Sequence, residues 1–438
     1  MLGWLGLALL PPLVLAWQVF SHSHVRLDHR LLFTLGMCFY ASLPAMLFVI
    51  ASYGEMDDPF ITVWLRLFAL LSETEKQVLP WTILGLWTAF LAGDMAMAGL
   101  LARRAANRRA ARHAMPASVA AVLAPALPLV IRALALVLVA FVGLLTVQNR
   151  HHLLGGYDLD QVGGFRGPIQ LAIGFLTLLL LIVLAHRRMF SRNDLILTAA
   201  ALGVSMLLSV LLGTRQNVLT AVMALLAFRS CFGRPLTPLR LISALGLIVV
   251  LGVAVAVVRL PGANLSYALV FAFTEPAGTF ISLLTMTAFN ALPFFSTPDE
   301  LLVSALNLIP SAIWPGKADF LEPFQHRFIV LAPLGARHLG VSLISNFGII
   351  GAPLLLAVMG AALRLLKQLT WRPDLQPTYA FLAGVVALDL WRNPLQVSVA
   401  KNMIQTAVIF PLGVYVLAGL ILFAVLDRGR SIQAQRRL

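Results

Sequence analysis

Residues 122–147 carry one charge, Arg132, and are otherwise apolar but for Thr146, and the surface of a water-soluble fold has no place for such a run. Similar runs recur along the whole chain. About 20 consecutive apolar residues make a helix long enough to cross the ~30 Å hydrocarbon core of a bilayer. Scanning for them predicts spans at 2–20, 31–53, 78–102, 122–147, 168–186, 195–212, 216–232, 241–258, 344–363, 377–391 and 403–426. The expected fold is an all-α polytopic membrane protein, a single integral membrane domain over 1–438 with about 11 transmembrane helices, within a range of about 10–14. Composition agrees: 60% of the residues are apolar and 11% charged, against about 45–50% and 25% in soluble domains. The first 20 residues lack a basic leader and a small-residue cleavage site, so they read as a retained first span rather than a signal peptide.

The net charge of +14 would point to nucleic acid in a soluble chain. Here it points to topology, because Lys and Arg collect in cytoplasmic loops. With the basic tail 427–438 placed inside, most of the 32 basic residues fall on that same side, including the run from Arg103 to Arg112. Most carboxylates fall opposite. The expectation is an N-terminus on the outer side and a cytoplasmic C-terminus, with no nucleic-acid partner. Cys38 and Cys231 both lie in apolar runs, so neither a disulfide framework nor a metal cluster is expected.

One connection departs from the short-loop pattern. Residues 259–343 form an outer segment of about 85 residues, far beyond usual loop lengths. It is apolar enough to predict two interfacial helices, near 265–273 and 279–292. A lid over a lipid-facing site is one use for such a loop.

The residues suited to chemistry lie on this outer side. Arg215 sits in the polar knot Gly213-Thr214-Arg215-Gln216-Asn217, Arg259 where the eighth span emerges, and Arg392 in the turn Trp391-Arg392-Asn393-Pro394 after the intramembrane Asp389. Each is a snorkelling anchor on its own. Together, three guanidiniums at one membrane level suit a pyrophosphate, which they bind bidentately without losing charge. The long loop adds Lys317 in Ile309-Pro310-Ser311-Ala312-Ile313-Trp314-Pro315-Gly316-Lys317, and Arg337 beside His338. His338 is the candidate general base, as the side chain that exchanges protons near pH 7 without a large shift; a packing histidine is the alternative. Glu275, between two apolar stretches, is the rival base, or else an ion-pair partner of one of the arginines. Asp94 and Arg132 lie within spans and read as paired inside the bundle. Asp158-Leu159-Asp160 reads as a solvated turn. Phosphate-binding Gly-rich loops, His-Glu-x-x-His and Gly-x-Ser-x-Gly are absent, so metal-independent chemistry with no cofactor is expected.

The order of Gly-Thr-Arg-Gln-Asn, Arg259, Ile-Pro-Ser-Ala-Ile-Trp-Pro-Gly-Lys, Gly-Val-Ser, Asn-Phe-Gly-Ile-Ile-Gly and Arg392 resembles the Wzy-type polymerases of O-antigen, enterobacterial common antigen and related polysaccharides. The likeness covers roughly 205–400. It implies a GT-C-like glycosyltransferase of the bacterial inner membrane, with a periplasmic N-terminus and a large periplasmic loop. Such an enzyme joins undecaprenyl-pyrophosphate-linked oligosaccharide repeat units, both donor and acceptor, at the periplasmic face, and works with a chain-length regulator protein. The Arg-Gly-Asp-like turn of many relatives is Arg392-Asn393-Pro394 here, so no role passes to the missing acid. An O-antigen ligase acting on lipid A-core and a non-catalytic lipid-linked oligosaccharide transporter remain as alternatives.

Overall fold

The computed structural model describes residues 1–51, 65–107, 118–153, 166–212, 215–259, 265–306, 309, 313–321, 330–331 and 336–435. Their regular elements are all helical. Eight of these helices are long and apolar enough to cross a bilayer, and the protein is a polytopic helical membrane protein. Its outward faces are those of a lipid-exposed bundle. Leu412, Val416 and Leu420 form one exposed row, and Leu354 and Val358 another, a display of apolar side chains that water would not support.

The spans predicted at 2–20 and 31–53 appear as α1 (Leu2–Phe20) and as α2 (His29–Met37) joined to α3 (Leu43–Ala51). A π-helical segment, Cys38–Ser42, makes that joint. Next come α4 (Glu73–Asn107), α5 (Leu127–Gln148), α6 (Arg166–Ala185) and α7 (Arg192–Leu211). The shorter apolar helices α8 (Arg215–Phe232) and α9 (Pro238–Arg259) cover two further predicted spans. Local chemistry explains several starts. Asp28 accepts the Leu31 N–H to cap α2, and Ser191 with Asp194 forms a capping box on α7.

The long loop differs from expectation. Its two predicted interfacial helices are one, α10 (Leu265–Phe289), which runs through Pro276. Residues 276–287 are buried inside the bundle rather than laid along its surface. The hydroxyls in this stretch make that burial tolerable. Thr279, Thr285 and Thr287 each bond back to the carbonyl four residues earlier, at 2.8, 3.1 and 2.9 Å. No polar side chain there needs water. A short helix, α11 (Asp299–Leu306), follows.

The predicted span 344–363 lies within α12 (Leu339–Leu369), which is broken at Gly348 with φ +76°. Residues 293–294 insert into the break: the Ile349 N–H donates to the Pro293 carbonyl at 2.9 Å and the Ile350 N–H to the Phe294 carbonyl at 3.2 Å. Glycine is required, since a side chain there would be strained and would overlap Phe294. The stretch after the break still reaches about 31 Å at 1.5 Å per residue. It packs closely along α4, where a Cβ at either Gly93 or Gly360 would run into the opposite backbone.

The predicted span 377–391 is interrupted too. It comprises α13 (Gln376–Gly384), a π segment (Val385–Asp389) and the single turn α14 (Leu390–Arg392). A 14-residue π-helix, Gln396–Ile409, then leads into α15 (Phe410–Gln435). Phe33 stacks on Phe90 at 3.9 Å and packs on Trp391 at 4.9 Å, fixing α2, α4 and α14 to one another. α2 runs alongside α13 and the π segment after it, with His29 beside Tyr379 and Gly36 against Ala387 and Trp391. The bundle therefore has a His29 end and an Arg392 end.

Candidate active site

Four segments far apart in sequence meet at the Arg392 end. α10 brings Glu275, α8 brings Gln216, the turn after α14 brings Arg392 and Asn393, and the chain before α12 brings Arg337. The Arg392 guanidinium forms an ion pair with the Glu275 carboxylate and donates from Nη1 to the Gln216 side-chain carbonyl. Gln216 in turn donates to Asp389 at 3.0 Å. Asp389 also accepts from the amides of Asn393 at 2.5 Å and Asn402 at 2.6 Å. Three neutral donors thus hold this buried carboxylate, which anchors the turn bearing Arg392 instead of competing for the guanidinium.

The three π segments all border this cluster. The first carries Tyr40 beside His338 and Arg392, the second ends on Asp389, and the third carries Asn402. π turns widen a helix and redirect its side chains, and they recur at functional sites. Here they let two amides and a carboxylate meet between closely packed helices.

Arg337 joins through its backbone, donating its N–H to the Arg392 carbonyl at 2.7 Å. Its guanidinium lies 3.8 Å from Glu300 on α11, and Glu300 accepts from Asn346 at 3.0 Å. Burial raises the Glu300 pKa above its ordinary value, against the lowering effect of Arg337.

His338 does not fit the role of base. It is fully buried, with its ring edge-on to those of Phe280 and Trp391. Its Nδ1 accepts the Gly340 N–H at 3.0 Å, so the lone pair a base would use is already engaged. Its Nε2 is turned to the backbone of Tyr40 without closing a hydrogen bond. Burial pushes its pKa down to about 3. The imidazole is the N-cap of α12, a role that sequence spacing does not distinguish from that of a general base.

Lys317 is taken up within its own loop, where its buried ammonium donates to the Ile309 carbonyl at 2.7 Å. Arg215 and Arg259 start α8 and end α9, but their side chains lie outside the described residues. So do Gly213, Thr214, Asp158–Asp160, Pro310–Ala312 and most of the basic run after Asn107. Gln216, Asn393, Asn402 and Glu300 emerge only in three dimensions. The signal for the two asparagines and Gln216 was a carboxamide in or beside an apolar span, which burial makes costly unless it is paired.

The other predicted intramembrane charges are paired. Arg132 meets Asp194, and Asp94 accepts from His29 at 2.9 Å. At that end Asp28 holds both Arg30 and Lys367 at 2.8 Å. Burial opposes its charge, yet these two cations keep its pKa well below the usual carboxylate range.

Comparison with known proteins finds no match: no family model, no curated protein and no solved structure is similar to this chain.

Proposed function

We propose that this protein is a membrane glycosyltransferase that extends a pyrophosphate-linked oligosaccharide at the outer membrane face. Its donor and acceptor would be undecaprenyl-pyrophosphate-linked repeat units, as the resemblance to Wzy-type polymerases implies. The observation that carries the proposal is the Arg392–Glu275 pair. It places a cation and a carboxylate together, partly open, with side-chain exposures of 20% and 28%, beside the start of the helix headed by Arg215. Contacts tie the basic residues to the His29 end: Asp94, on the helix that ends near Arg103, meets His29; Arg234 lies beside the Val25–Leu236 tie; and Arg187, Arg188 and Arg372 flank the His186–Asp374 pair near Tyr379. This favours the cytoplasm for that end and the periplasm for the site.

In the proposed reaction the acceptor hydroxyl attacks the anomeric carbon of the donor chain. The carbon–oxygen bond to pyrophosphate breaks, and configuration inverts. Arg392, with Arg215, Arg259 and Arg337, takes the negative charge that grows on the departing pyrophosphate. As Arg392 turns to the phosphate it leaves Glu275, whose carboxylate loses its counter-charge and becomes a better base for the hydroxyl proton. The ion pair is thus the resting state of the site, and Glu275 takes the role first expected of His338. The test is polymer formation by purified protein in liposomes supplied with lipid-linked repeat units. Wild type should give a glycan ladder, while Arg392→Ala and Glu275→Gln should leave single units. A full ladder from both variants sinks the proposal. Free polymer accumulating in a deletion strain, in place of single units, would reassign the protein as a ligase.

A further inference from the structure

We propose that the protein carries a binding site for one anionic phospholipid of the leaflet at the His29 end, remote from the Arg392 cluster. A groove of about 220 Å³ opens between α1, α2, α8 and α9. Its walls are apolar throughout, with Leu15 and Val19 from α1, Leu31 and Leu35 from α2, and Leu245 from α9. Along the second of these walls it runs from Leu27 to Cys38. That is about 16 Å at 1.5 Å per residue, half of the ~30 Å hydrocarbon core. An acyl chain from one leaflet fills that length, and a chain crossing the midplane would not fit in it.

The rim identifies the headgroup. Val25 and Leu236 pair by backbone hydrogen bonds of 2.7 and 3.0 Å, tying the mouth of the groove together. Around this tie Arg26, Arg234 and Arg240 are exposed, and none forms an ion pair among the described residues. Asp28 is the sole carboxylate in residues 1–51 and 215–259, and it is buried against Arg30 and Lys367. The mouth therefore carries uncompensated positive charge directly above an acyl-sized slot. This combination selects an anionic glycerophospholipid over a zwitterionic one.

Native mass spectrometry of the detergent-extracted protein, titrated with phosphatidylglycerol or phosphatidylcholine, tests the site. Wild type should retain one phosphatidylglycerol, about 125-fold more tightly than phosphatidylcholine, at roughly 5-fold for each of three arginines. Arg26→Ala with Arg240→Ala should cut that preference to roughly 5-fold, and adding Arg234→Ala should abolish it. Ala16→Trp, an exposed lining position, should block the single retained lipid while gel filtration remains unchanged. Equal retention of the two lipids by wild type overturns the proposal. Undiminished retention by Ala16→Trp does so too, because the bound lipid would then lie elsewhere.

Discussion

Replacing Arg392 by Ala separates what the Arg392–Glu275 pair contributes to stability from what it contributes to turnover. Removing one partner of a fully buried pair costs about 3–5 kcal/mol, whereas exposed pairs contribute about 0–1 kcal/mol. Both side chains here retain some exposure, 20% and 28%, which places the expected cost near 2–3 kcal/mol. Gln216 also loses its donor partner, while Asp389 keeps all three of its own. Replacing both residues by Met removes the orphaned carboxylate, so the double variant should regain about 1–2 kcal/mol relative to Arg392→Ala. Turnover should behave differently. Losing one oxyanion-type contact lowers the rate about 10²–10³-fold, and the double variant should remain as inactive as the single one. Arg392→Lys should recover part of the rate, having the charge without the planar fork. Unfolding in detergent and polymer formation in liposomes give the two readouts. If the double variant recovers turnover along with stability, Arg392 is a structural counter-ion and the reasoning fails.

Other outcomes follow from the same contacts. His338 has its pKa lowered to about 3 by burial, so its contribution is complete above its ordinary value near 6.5 and shrinks as pH falls from there toward 3. The slope is about 1.4 kcal/mol per pH unit; thermal unfolding of His338→Gln should lose that slope while polymer formation at neutral pH persists, and equal slopes would contradict the capping role. Gly348→Ala meets both a positive φ and the Phe294 backbone, and should cost at least about 1–3 kcal/mol with visible loss of thermal stability. Asp389→Asn sets an amide against three amide donors and should destabilise by about 1–3 kcal/mol, measured in the same assay. For topology, a Cys at exposed Ile313 should react with an impermeant maleimide on intact cells and one at exposed Arg187 should not, in a background with Cys38 and Cys231 changed to Ser. The opposite pattern would invert the bundle.

Membrane residence could be read directly from the sequence. A run such as 122–147 has one environment available to it, and helix is the form that satisfies its backbone there. Arg392, Glu275 and Arg337 were legible as candidates because charges beside apolar spans are costly and therefore conspicuous. Tertiary structure decided what each of them does. The contact between Glu275 and Arg392 spans more than a hundred residues, and no local pattern encodes it. It depends on α10 burying its second half, which sequence reading treated as a separate interfacial helix at 279–292. The same holds for His338. An Arg-His pair ahead of a span looks like a base with a phosphate contact, and only the backbone path, turning so that the Gly340 N–H meets Nδ1, makes the imidazole a cap. The break at Gly348 was equally hidden, since this glycine lies inside the apolar run predicted as span 344–363, and residues 293–294 that bond into the break are about fifty residues away along the chain. Periodicity and hydropathy act along the chain and fix which segments enter the membrane. Pairing of buried polar groups acts across the chain, and packing alone determines which partners come within reach.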